Sequence, residues 1–114
     1  RLLGRLLSRL ETFMTVLNQE AFVAEPLTYH NAILLERAGF AYVQGRQKMA
    51  RIHAGFQPGG ELYARLDGST PFRHRGMAES IRGRSWAIHD GILGEPWDGV
   101  KMVKRVGQQA GENS

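Results

Sequence analysis

The stretch LTYHNAILLERAGFAYVQGR, Leu27 to Arg46, carries a helix start, a helix stop and a strand start in quick succession. Thr28 is the N-cap candidate, because a threonine hydroxyl can accept from the free N–H groups of a first helical turn. Asn31, three residues on, is not the reciprocal Glu or Gln of a full capping box. Leu27, Ile33, Leu34 and Ala38 supply the buried side, with Glu36 and Arg37 in solvent. Gly39 follows where a left-handed residue ends a helix, and Phe40 is available to fold back onto it. AYVQ then reads as a strand, Gly45 as a turn, and QKMARIH as a returning strand or a helix. The prediction is a helix that runs into a short antiparallel hairpin.

These residues resemble the second half of bacterial winged helix-turn-helix domains, where a recognition helix ends in a phrase such as LL-x-x-AGF before a basic wing. They are also similar to a small phage and bacterial winged-helix-like family carrying YH-x-x-LL-x-x-AGL, to whose tryptophan-containing end Ser85 to Gly107 loosely corresponds. The resemblance implies that Thr28, Tyr29 and Asn31 lie on the first turn of a recognition helix and reach base edges. It also implies that Arg46, Lys48 and Arg51 contact the phosphate backbone from the wing. Read from the residues alone, Tyr29 and His30 are packing or capping groups, and the three basic residues are a solvated face. LLERAGF is similar, too, to the late helix of acetyl-coenzyme A dependent N-acetyltransferases. That similarity is set aside: those enzymes place an asparagine where Thr28 stands, and no Arg- and Gly-rich pyrophosphate loop lies between Glu11 and Pro26.

At 114 residues with 42% hydrophobic side chains, the chain suits one domain with a modest core. Residues 1–107 are expected to form it, with 108–114 a flexible polar tail. With no cysteine, disulfides, thiolate chemistry and Cys-ligated zinc are excluded. No run of 18 apolar residues offers a transmembrane span, and a cytoplasmic location is expected. Arg1 in place of Met points to a processed or trimmed chain. Leu2, Leu3, Leu6, Leu7, Leu10, Phe13, Met14 and Leu17 form an apolar stripe at helical spacing, opposite Arg1, Arg5 and Arg9. A helix from Leu2 to Leu17 that packs on its own domain or mediates self-association is expected.

Lys and Arg total 15 against 11 acids, and the excess is regional. Between Arg37 and Arg84 nine basic residues face only Glu61, Asp67 and Glu79. Within that region Leu62, Ala64 and Leu66 alternate with polar neighbours like a half-buried strand. PFRHRGMAESIRGRSW follows, with Arg73, Arg75, Arg82 and Arg84 around a short helix-like MAESI. Guanidinium forks suit phosphate and carboxylate oxygens, so this is the strongest anion-binding candidate. Phe72 and Trp86 at its edges can stack on bases or fill the core. Further on, Trp86, Ile88, Ile92, Leu93 and Trp97 are expected to close one end of the core. Asp98 is expected to cap a last helix, VKMVKRV, with Val100, Val103 and Val106 on one face.

An enzyme reading gathers His53, His74, His89, Asp90, Glu95 and Asp98, yet the sequence has no H-E-x-x-H, P-loop or G-x-S-x-G. No catalytic residue, metal ligand or cofactor is assigned. The expectation is a small α+β domain with a winged-helix-like first half, a basic binding module for nucleic acid or another polyanion with regulation as one use. The competing expectations are a structural or assembly protein of a larger complex and a small enzyme acting on an anionic substrate.

Overall fold

Thr28 does what its position predicts, and the rest of the fold is anchored on the helix it starts. In the computed structural model, which describes residues 12–17 and 21–105, the Thr28 hydroxyl accepts from Asn31 N at 3.1 Å and opens helix α1 (Tyr29–Arg37). Gly39 takes φ +100°, Phe40 N donates back to Leu35 O at 3.0 Å, and Gly39 N donates to Glu36 O at 3.0 Å. That pair of bonds satisfies two orphan carbonyls of the last turn and turns Phe40 into the core.

Ahead of α1 lie strands β1 (Thr12–Leu17) and β2 (Ala21–Pro26), paired antiparallel from Thr12↔Pro26 to Leu17↔Ala21. After it come β3 (Ala41–Gln44), α2 (Arg46–Gly55) and the single turn α3 (Glu61–Ala64). Two 3₁₀ turns, Pro71–Arg73 and Arg75–Glu79, lead to α4 (Ile81–His89), and β4 (Lys101–Arg105) ends the described chain. The strands form one antiparallel sheet in the order β1-β2-β4-β3, and the fold is α+β. Ala24, Met102 and Tyr42 stand in register and face the core, while Val23, Val103 and Ala41, one residue along, turn to the other side. Tyr29, Leu35, Phe56, Ile92 and Met102 are its largest fully buried side chains.

Five expectations are corrected. Thr12–Leu17 is a strand, not the end of a helix; Leu2 to Leu10 and the tail 108–114 lie outside the described residues. The hairpin is β1–β2 rather than the segment after Gly39. Gly45, at φ +94°, starts helix α2, and β3 pairs with β4, so Arg46, Lys48 and Arg51 sit on a helix and not on a wing strand. Glu61–Ala64 is a helical turn, because Leu62 and Leu66, four apart, bury together as readily on a helix as on a strand. Lys101–Arg105 is a strand between β2 and β3, and Asp98 lies outside any helix, ion-paired to Lys48. Trp86 is 48% exposed rather than a core plug, while Ile88 and Ile92 are buried as expected.

Candidate anion-binding site

Helix α1 ends in Arg37, and α2 begins with Arg46; β3 between them forms one wall of a cleft of about 690 Å³. Tyr29, Phe40 and Met49 give it an apolar floor, and Ile81 and Arg84 of α4 close the far side. On α2, Arg46 and His53 are seven residues apart, two helical turns, and so enter the cleft from one face. No side chain caps α2, so the positive end of its backbone dipole adds to the charge of Arg46.

Arg84 is held from several sides. Its Nε donates to Ala78 O at 2.7 Å, its guanidinium lies 5.8 Å from the Phe56 ring centroid, and NH1 stands 3.4 Å from His53 Nδ1. A guanidinium has five N–H donors, so this anchoring leaves donors for a ligand. The cleft's one acid, Glu36, accepts from Tyr42 OH at 2.8 Å. Burial, with the Glu36 hydrogen bond second, pushes the Tyr42 phenol up, so it stays protonated as the donor. On α1, burial and the charges of Arg82 and Arg37 hold the His30 imidazole below its ordinary range. His30 N also donates to Ser85 Oγ at 3.1 Å, tying α1 to α4.

The basic residues picked out from sequence divide accordingly. Arg46 and Arg84 are brought together in the cleft; Arg82 is exposed on α4 and is not part of its lining. Lys48 points the other way: Nζ lies 3.2 Å from Glu95 and 3.6 Å from Asp98, and donates to Pro96 O and Asp98 O. Arg73 is tied to Asp90, Nε to Oδ2 at 3.1 Å, and Arg75 lies over the Tyr63 ring. Arg51 lines a separate cleft of mixed charge with Glu61, Arg65 and Glu95. Thr28 is a cap, and Tyr29 and Asn31, 1% and 6% exposed, face inward, so the start of α1 does not present them to base edges. Missed from sequence was Arg37, read as plain solvated charge; His53, gathered there only for an enzyme, lines the cleft two turns along α2 from Arg46.

The residues of the enzyme reading have separate local partners. His74 Nδ1 accepts from Gly76 N, Asp90 holds Thr70 and Arg73, and Glu95 and Asp98 hold Lys48. Among the described residues no group of three such side chains is placed to hold a metal ion, and no helix is long and apolar enough to cross a membrane. Comparison with protein-family models, curated proteins and solved structures finds no match to this chain.

Proposed function

We propose that this chain is a binding module for nucleic acid or another phosphate-bearing polyanion, seated on the cleft of Arg37, Arg46 and Arg84 with the exposed Arg82 on the same helix as Arg84. The observation that carries this reading is that the cleft gathers three arginines, Arg37, Arg46 and Arg84, none of them ion-paired among the described residues, whereas the other unpaired arginines, Arg51 and Arg75 among them, lie outside it. Lys48, Arg65 and Arg73 are ion-paired, whereas among the described residues no carboxylate lies within ion-pair distance of Arg37, Arg46, Arg82 or Arg84. Unpaired guanidiniums brought to one side of a fold produce a positive field that phosphates can neutralise with release of counterions.

The test is titration of the purified chain against labelled single-stranded RNA and duplex DNA at two salt concentrations. Binding that weakens steeply with salt is expected, with a further loss in the Arg46→Ala/Arg84→Ala double variant and little change in Arg75→Ala. No binding at low salt defeats the nucleic-acid reading. The size of the cleft favours a second reading, a seat for one small anionic ligand, since such sites span roughly 300 to 1,000 Å³. Saturable, stoichiometric binding of a free nucleotide without affinity for the polymer would select it.

A further inference from the structure

One exposed aromatic group, on the outward face of α4, is built too deliberately to be leftover core. Phe72 and Trp86 stack at a centroid distance of 5.4 Å and an interplanar angle of 20°, and are 38% and 48% exposed. His89 meets the indole edge-on at 6.0 Å. The pair is fixed from beneath by Asp90 at the end of α4: its Oδ2 accepts from Thr70 Oγ1 at 2.9 Å and from Arg73 Nε at 3.1 Å, and its backbone carbonyl accepts from Arg73. Those bonds clamp the 71–73 turn, and with it Phe72, against α4. Stacking hides part of each ring from water, but the exposure that remains opposes the hydrophobic effect, and the partly buried Arg73–Asp90 pair ties the turn carrying Phe72 to the end of α4.

The placement of charge says what the rings suit. Arg82 precedes Trp86 by one helical turn and leaves the same, outward side of α4, while Gly83, Ala87 and Ile88 bury the other side. Arg82 therefore sets a cation beside the exposed indole, on the face of α4 that leaves the core. A cation one turn from a part-exposed aromatic pair suits unpaired bases: a phosphate meets the charge, and a base stacks on the ring. A duplex keeps its bases stacked on one another and offers such a ring little beyond its ends.

We infer that the polyanion is a single strand and that one of its bases stacks on Trp86. This rests on the polyanion reading above and adds its substrate class. The test compares wild type, Trp86→Ala and Trp86→Phe by fluorescence anisotropy with a labelled 12-nucleotide oligo(dT) and a 12-base-pair mixed-sequence duplex, both at low salt. The expected result is tighter binding of the single strand, weakened about tenfold in Trp86→Ala, with the duplex nearly unchanged and most of the affinity retained by Trp86→Phe. In wild type, oligo(dT) should also quench the part of the indole emission that Trp86→Phe removes, leaving Trp97 as the internal reference. If the duplex binds as well as the strand, or if Trp86→Ala weakens both equally or neither, the stacking inference is overturned while the polyanion reading stands. If neither probe binds, both fall.

Discussion

Lys48 and His30 are both on the basic side of the ledger by composition, and their surroundings give them opposite roles. Lys48 Nζ, on a side chain only 10% exposed, meets two carboxylates and two carbonyls, and lies 5.8 Å from the Trp97 ring centroid. Its acid partners are largely exposed, so the ion pairs themselves contribute little. The carbonyl bonds matter more, because they fix the loop 95–98 and so Trp97, whose Nε1 donates to Pro26 O at 2.9 Å. Lys48→Ala is therefore expected to lower stability by about 2 kcal/mol, read as a lower urea midpoint with unchanged slope, without loss of anion affinity. For His30 the folded state holds the imidazole below its unfolded value of 6.5, so the unfolded chain binds the extra proton. Stability is then expected to rise as pH climbs toward 6.5 and to level off above it. His30→Gln should flatten that segment of the stability profile, which urea titrations between pH 5 and 7.5 (roughly the range over which histidine changes charge) would reveal.

Elements succeed here where their signals are local and fail where the partner is distant. Gly83 illustrates the first link between element and packing. A glycine inside a helix ordinarily costs about 1 kcal/mol relative to alanine, so Gly83→Ala would be expected to stabilise α4. A Cβ at that position, however, would stand 2.6 Å from Met77 O and 2.9 Å from Ser80 Oγ, the cap that Gly83 N itself donates to. The close approach of the 75–79 turn reverses the sign: Gly83→Ala should lose about 1 to 3 kcal/mol, visible as a lower melting temperature. Helix α1, its Thr28 cap, its Gly39 stop and the strand at 41–44 were legible because each rests on residues within a turn of one another. The strand at 101–105 was read as a helix because Val100, Val103 and Val106 satisfy a period of three, and only pairing with β2 and β3, more than 50 residues away, decides otherwise. The candidate site was half legible for the same reason. Arg46 and Arg84 stood out as arginines, but that Arg73 is consumed by Asp90, or that Arg37 turns into the cleft, depends on contacts between elements distant in sequence.

At the scale of the molecule the net charge of +4 understates what a polyanion would meet. Acids and bases cancel across the 95–98 loop and at α3, where Arg65 pairs with Glu61, whereas the cleft between α1, the start of α2 and α4 sets Arg37, Arg46 and Arg84 against Glu36 alone. If Arg37, Arg46, Arg82 and Arg84 each neutralise one phosphate of a single strand, the logarithm of the binding constant should fall against the logarithm of salt with a slope of about −3. Replacing Arg46 and Arg84 together should flatten that slope by about 1.4, because each lost contact removes roughly 0.7. Arg75→Ala, on the ring of Tyr63 and outside the cleft, should leave it alone. The slope discriminates where affinity does not: a variant that merely loosens the fold weakens binding at every salt concentration by the same factor and keeps the slope. An unchanged slope in the double variant would mean that these arginines do not touch phosphate, and equal flattening by Arg75→Ala would mean that charge acts diffusely over the surface rather than through the cleft.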